Sequence, residues 1–295
     1  MSIHPNGRRL RELMQADGMV VAPGAYDGIT ANFIKAAGHD VIYMTGSGTS
    51  AALGYPDYGL ATMTEMVANA SRIVATTGLP LIADADTGYG NELNVTRTVR
   101  EYERHGVAAI HLEDQTFPKR CGHLDDKELI PQEEFFAKLR AAAAARQSQD
   151  FQIIARTDAR AVTGFEDAIA RANGALENGA DIVFFEAAQS IEEVARIPEL
   201  VRGPCLLNVV HKGKTPKVEL KDAEAMGYKI SILPSLLLRH VFGACEDMLT
   251  ALKSGTIPTP IGDMSPSEGF AKFGAADWDE IRTKFRDVAQ RDAAE

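Results

Sequence analysis

Cysteine is scarce in this 295-residue chain, and the three present, Cys121, Cys205 and Cys245, are widely spaced and odd in number. No disulfide framework and no C-x-x-C metal pair can be drawn from them, so a reduced, cytoplasmic setting is expected. Positive charge is also short: 31 Lys and Arg against 41 Asp and Glu leave a formal net charge of -10. Such a chain is a poor partner for phosphate backbones, and no nucleic acid is expected. An acidic enzyme acting on acidic substrates must then supply positive charge locally. No apolar run reaches the roughly 18 residues of a membrane helix. The N-terminal MSIHPNGRRLRELMQADGM holds no apolar run suited to a signal peptide, and no membrane partner is expected. No G-x-G-x-x-G follows a strand-like run, and G-K-T at 213–215 lacks the upstream glycine of a phosphate loop, so a nucleotide cofactor is not expected.

What is present is a core-forming composition, 45% hydrophobic and 24% charged, arranged in a rhythm. Short aliphatic and β-branched runs recur: VVAPGAY (20–26), DVIYMTG (40–46), PLIADADTG (80–88), AAIHLED (108–114), FQIIARTDA (151–159), ADIVFFEA (180–187), PCLLNVV (204–210) and KISILP (229–234). Continuous apolar runs of this length read as buried parallel strands. Helical stretches lie between them, several stopping at a glycine such as Gly38, Gly106 or Gly179. Eight alternations predict a (β/α)8 TIM-type barrel; an open doubly wound sheet is the alternative and would need its strand order to reverse. No linker divides residues 1–254, which form the expected catalytic barrel. Residues 255–295 read as a C-terminal extension, first loop-like (TIPTPIGDMSPSEG) and then amphipathic through Trp278, Ile281, Phe285 and Val288. That stripe needs a partner surface, on this barrel or on a neighbouring subunit, and the neighbour is favoured.

Catalytic groups of a barrel stand at the C-terminal strand ends. The runs above end in Tyr43, Thr45, Gly46 and Ser47; in Asp84 and Asp86; in Glu113 and Asp114; in Arg156 and Asp158; in Glu186; and in Asn208, followed by His211. Unpartnered buried charges are costly, so polar closures on six strands imply a shared site. Asp84 and Asp86, two apart on a strand, should face the same side. With Glu113 they would repel each other unless a cation intervenes, and hard oxygen donors suit Mg2+ or Mn2+. The alternative is that one of them caps a helix and another pairs with Arg156. T-G-S-G-T-S (45–50) reads as a Gly-rich strand-helix turn whose backbone N–H groups could hold a carboxylate.

After Asp114 comes a long stretch without apolar periodicity, QTFPKRCGHLDDKELIPQ, a length that in a barrel marks a functional loop or lid. Within it K-R-C-G-H sets Lys119, Arg120, Cys121 and His123 around Gly122. Either this is a polar surface loop with an ordinary thiol, or the cationic neighbours lower the thiol pKa and Cys121 exchanges a proton. A Schiff base on Lys119 is disfavoured beside an arginine.

In this order, D-A-D-T-G-Y-G, H-L-E-D-Q, K-R-C-G-H and A-R-T-D-A resemble the isocitrate lyase/phosphoenolpyruvate mutase superfamily over roughly residues 8–255, and within it the 2-methylisocitrate and 2,3-dimethylmalate lyases. The resemblance implies one Mg2+ at Asp84, with Asp57, Asp86 and Glu113 holding its waters. It implies that Ser47 with its neighbours Thr45 and Gly46 binds a substrate carboxylate, that Arg156 binds the 2-oxo or 2-hydroxy acid end, and that Glu186 and Asn208 complete the polar shell; Gly122 and His211 are further candidate substrate-binding residues. The implied reaction is cleavage of a 2-hydroxy di- or tricarboxylate to a 2-oxo acid and a carboxylate. Tyr43 is a candidate base, though equally a packed strand tyrosine. Lys119 and His123 would stabilise the enolised fragment and Cys121 would protonate it. Oxaloacetate hydrolases, which share the K-R-C-G-H loop, and oxaloacetate decarboxylases are the rivals. A serine near the end of strand eight marks the hydrolases, where this chain has Pro234. Lyases of this branch often carry a glutamate at the place of His211. Members commonly form tetramers that swap C-terminal helices. A non-catalytic barrel that binds small dicarboxylates is the remaining reading.

Overall fold

The structure is a computed structural model that describes residues 5–292, with side chains through residue 286. Residues 1–4 and the Val288 side chain, both part of the expectations above, lie outside the described residues. Eight parallel strands pair in chain order and close on themselves: β1 (Val20–Ala25), β2 (Ile42–Met44), β3 (Leu81–Asp84), β4 (Ala109–Glu113), β5 (Gln152–Thr157), β6 (Ile182–Phe185), β7 (Cys205–Asn208) and β8 (Ile230–Leu233). The open sheet is thereby excluded, since β1 pairs with β8 through Val20 to Pro23. Each strand is shorter than its apolar run, yet Asp84, Glu113, Arg156 and Asn208 stay in the ladder, as the last or nearly last residues of their strands.

Strand alternation gives the barrel two faces. One buried cluster holds Tyr43, Ile82, Ala109, Ile154, Ile182, Phe184, Leu206, Ile230 and Ile232, which fill the interior. The intervening residues, such as Ala83, Ile110, Leu112, Ile153 and Ala155, pack outward with the surrounding helices. Burying one such aliphatic side chain contributes about 1.5–3 kcal/mol. Continuing the inner rows by two residues toward the C-terminal rim leads from Ile82 to Asp84, from His111 to Glu113, from Ile154 to Arg156, from Phe184 to Glu186 and from Leu206 to Asn208. The apolar interior and the polar rim are the same rows of residues.

Helices return the chain between strands. Gly28–Ala36 begins with Asp27 accepting from the Thr30 N–H, and Met63–Thr77 with Thr62 accepting from the Glu65 N–H. The glycine stops hold: Gly38 and Gly106 take φ of 85° and 78°, open to glycine at no steric cost.

The chain divides into two units, residues 1–240 and 241–295, and the helix Leu236–Lys253 runs through the division. The second unit contains the helices Pro266–Ala271 and Ala275–Asp292. Among the described residues, no helix is long and apolar enough to cross a membrane.

Candidate active site

The rim of the first unit gathers most of the expected residues. Asp84, at the end of β3, is 4% exposed. Asp86 is not on the strand, contrary to the alternation argument. It sits in the turn beyond, with a left-handed φ of 47°, and its N–H donates to Asp84 Oδ1 at 2.9 Å. The turn, rather than the pleat, brings the two carboxylates together. Lys119 reaches in from the long loop, 2% exposed, with Nζ 2.5 Å from Asp57 Oδ1 and 2.9 Å from Asp86 Oδ1. Burial opposes its charge, but Asp86, Asp57 and Asp84 together hold its pKa well above the ordinary lysine value. An ammonium clamped this way is no amine nucleophile, which disposes of the Schiff base.

Burial would raise Asp84, yet His111, Lys119 and Arg156 hold it at about 2. Asp86 goes the other way, to about 6: burial and the neighbouring Asp84 and Asp57 outweigh Lys119. Burial likewise pushes Glu113 well up, against Arg156 and Lys119. Arg156 Nη1 lies 3.1 Å from Glu113 Oε2 but out of line for a hydrogen bond, so both Glu113 oxygens are buried without a donor. Arg156 is aimed by Asp158, which accepts from Nε at 2.9 Å and from Nη2 at 3.2 Å, and its guanidinium lies over the Phe184 ring.

Glu186 Oε2 accepts from Asn208 Nδ2 at 3.0 Å, and Glu186 Oε1 is 3.3 Å from His123 Nε2. His123 Nδ1 accepts the Lys214 N–H at 3.2 Å, which assigns the ring proton to Nε2, facing Glu186. Gly122 lies so close to the shell that a Cβ there would meet Arg156 Nη2 at 2.5 Å and Glu186 Cγ at 2.6 Å. The loop carrying Cys121 is therefore packed down on the strand ends. Gln115 ties its start, exchanging two hydrogen bonds with the Arg120 backbone at 2.8 and 3.0 Å.

Two further expectations need correction. The cationic neighbours do not lower the Cys121 thiol: burial, with Asp57 adding, outweighs His123, Arg156 and Lys119 and pushes it up to about 11. The side chain is a thiol at neutral pH, able to give a proton and unfit to take one. Residues 45–50 are no loose turn. Gly46–Ala52 is a helix whose first turn is capped by Thr45, which accepts from the Gly48 N–H, while Thr45 Oγ1 and Ser47 Oγ are 2.9 Å apart. Gly46 is required because a Cβ would fall 2.3 Å from Asp84 Oδ2. Among the described residues, no three His, Cys, Asp or Glu side chains converge as direct ligands. Lys119 stands between Asp57 and Asp86, and Arg156 stands against Glu113. The arrangement fits one inner carboxylate, Asp84, on the side that Gly46 leaves open, with the donorless Glu113 oxygens available to cation-bound water.

His211 does not join the shell. It is exposed and lines a cleft of about 680 Å3 beside it, with Lys212, Lys214, Lys217, Arg239 and His240 around an apolar floor that includes Val209, Leu233 and Leu236. The cleft lining carries no carboxylate, in a chain whose net charge is -10.

His111 was not among the expected site residues. It is buried on β4 two residues before Glu113, with Nε2 2.9 Å from Tyr43 Oη and 3.5 Å from Asp84 Oδ1. Burial lowers its pKa to about 4, despite Asp84. A histidine inside an apolar strand run, in register with a rim carboxylate, was the signal that could have found it. Lys127, buried at 7% exposure, was also unexpected.

A closed barrel whose inner rows end in Asp84, Glu113, Arg156, Glu186 and Asn208 under a cysteine-bearing loop gathers carboxylates and cations at one rim. The family described as phosphoenolpyruvate phosphomutase matches residues 10–253. A 2,3-dimethylmalate lyase of Eubacterium barkeri is 48% identical over 266 residues, covering 90% of this chain and 91% of the relative. A 2-methylisocitrate lyase of Aeropyrum pernix is 44% identical, covering 82% and 78%. The structure of an oxaloacetate acetylhydrolase in complex with 3,3-difluorooxalacetate superimposes with a TM-score of 0.91 at 39% identity, covering 95% and 97% of the two chains. That of a phosphonopyruvate hydrolase complex with oxalate and Mg2+ does so with a TM-score of 0.86 at 29% identity, covering 95% and 99%. The chain belongs to the phosphoenolpyruvate mutase/isocitrate lyase superfamily. Within it the chain is an enzyme of the carbon–carbon lyase kind.

Proposed function

We propose that this protein cleaves the C2–C3 bond of a 2-hydroxy di- or tricarboxylate, of the 2,3-dimethylmalate or 2-methylisocitrate type, giving a 2-oxo acid such as pyruvate and a carboxylate such as succinate. The observation that carries the reading is the pairing of a protonated, loop-borne Cys121 with buried cations, Lys119 and Arg156, above Asp84. A Mg2+ held by Asp84, directly or nearly so, with Asp57, Asp86 and Glu113 around its waters, would make the substrate hydroxyl more acidic and neutralise charge; Mn2+ is a possible substitute.

The residues divide the remaining work. Arg156 binds the 2-hydroxy acid end, and the Thr45–Gly46–Ser47 segment binds a carboxylate. Tyr43 receives the C2 hydroxyl proton while passing its own to His111 Nε2, 2.9 Å away. The C2–C3 electron pair then moves to C3 and its carboxylate. Lys119 and His123 face that developing charge as an oxyanion hole does, and Cys121 delivers the proton to C3. The raised thiol suits an acid that must stay protonated until the carbanion forms. Gly122, Glu186 and Asn208 close the shell, and the basic cleft beside it, with His211 on its lining, receives the far end of the substrate.

Hydrolysis of oxaloacetate is a second reading, favoured by the likeness to oxaloacetate acetylhydrolase. Against it stands Pro234 after β8, packed so closely on Gly24 that a Cβ there would meet the Pro234 carbonyl oxygen at 2.3 Å. We also propose a tetramer in which residues 255–295 pack on a neighbouring subunit, in a cytoplasmic setting that keeps the three thiols free. Calorimetric titration with oxalate tests the site: uptake should require Mg2+. Uptake of equal strength in chelator would contradict the metal-assisted reading, and no uptake in either condition would leave a scaffold.

A further inference from the structure

We propose that Lys127 is a positioning residue that seats the Cys121 loop on the strand ends; its bearing on turnover rests on the lyase reading above. Lys127 is 7% exposed, at the far end of the loop. Its Nζ donates to the Gly122 carbonyl at 2.5 Å and to Asp158 Oδ1 at 2.8 Å. Asp158 is the carboxylate that grips Arg156 through Nε and Nη2. Gly122 itself abuts Arg156 and Glu186 with no room for a side chain. One buried ammonium therefore joins the loop, at the residue between Cys121 and His123, to the group that aims Arg156.

Further ties act through other residues of the loop: Lys119 is held by Asp57 and Asp86, and His123 accepts the Lys214 N–H beside Glu186. Gln115 holds the backbone of Arg120 on the near side of Cys121. Lys214 Nζ holds Asp125 at 2.6 Å through an exposed carboxylate, where solvent screens the pair. A buried ion pair adds little net stability over an apolar replacement of the same size. A cation at this place is thus better explained by what it orients than by what it stabilises. Removing it frees the Gly122 carbonyl and leaves the loop apex without its charged donor.

The test uses the full chain in a Cys245→Ser background, so that the exposed thiol does not react. Iodoacetamide labelling of Cys121 without ligand should become about tenfold faster in Lys127→Met, the factor expected when a charge-assisted hydrogen bond is lost. With substrate and Mg2+, kcat should fall about a hundredfold while KM stays within about threefold, as for a misplaced reacting group. Circular dichroism and thermal melting establish that the variant is folded; if it is not, Lys127→Gln carries the same expectations. Labelling at the background rate in a folded variant overturns the proposal, and so does a loss of turnover that lies entirely in KM. The labelling arm involves no substrate, so it stands or fails independently of the lyase reading.

Discussion

The rim of the barrel and the end of the chain use their side chains in opposite ways. At the rim, charges are buried: Asp84, Lys119, Glu113, Arg156 and Asp158 are all but inaccessible, and all but Asp84, which lies 3.5 Å from the His111 ring, stand against an opposite charge. In the second unit apolar groups are exposed, with Trp278 at 71% and Phe285 at 67%. Either arrangement is unfavourable for an isolated fold. The rim bears its desolvation because substrate chemistry needs preorganised charge. In the proposed tetramer the stripe of the terminal helices is covered by a second surface.

This contrast can be broken from either side. The largest effect is expected at the acid: Cys121→Ser should lower kcat by about 10²–10⁴ while leaving Mg2+-dependent oxalate binding intact, and unchanged turnover would remove the thiol from the chemistry. Lys119→Met leaves Asp57 and Asp86 without their shared partner and should cost about 3–5 kcal/mol in denaturant unfolding; a loss near zero would mean that the clamp is not buried in solution. The thiol gives a sharper reading of burial. Because burial raises its folded-state pKa, the reactive thiolate should appear only as pH rises toward about 11, whereas the unfolded chain should react around the ordinary value of 9.0. Coincident profiles would refute that burial. Gly46→Ala sets a Cβ against Asp84 and should cost about 1–3 kcal/mol by overpacking, read in the same unfolding experiment. At the other pole, Trp278→Ala should change the stability of the single chain by no more than about 0.5 kcal/mol yet lower the sedimentation coefficient of the assembly. An unchanged assembly would separate the stripe from oligomer contacts.

Much of this was legible in the sequence because buried parallel strands advertise themselves as apolar runs, and polar residues closing such runs stand at a barrel's rim. Asp84, Glu113, Arg156, Glu186 and Asn208 were readable on that ground alone. What was illegible is tertiary. The thiol pKa depends on burial, which no neighbour in sequence reports. The position of Asp86 depends on a left-handed turn that a D-x-D spacing conceals. The helix Gly46–Ala52 was masked by glycines that local propensity disfavours but that close packing on Asp84 and Tyr26 demands. Lys127 and Asp158 are 31 residues apart, and only the closure of the loop onto β5 joins them.

The proposed activity is carbon–carbon cleavage driven by charge assembled at one rim. Incubating the protein and Mg2+ with 2-methylisocitrate, isocitrate, 2,3-dimethylmalate and oxaloacetate, with products identified by mass spectrometry, tests it most directly. Pyruvate, with its partner carboxylate, is expected from 2-methylisocitrate or 2,3-dimethylmalate. Oxalate and acetate from oxaloacetate, with no pyruvate from either of those two acids, would contradict it.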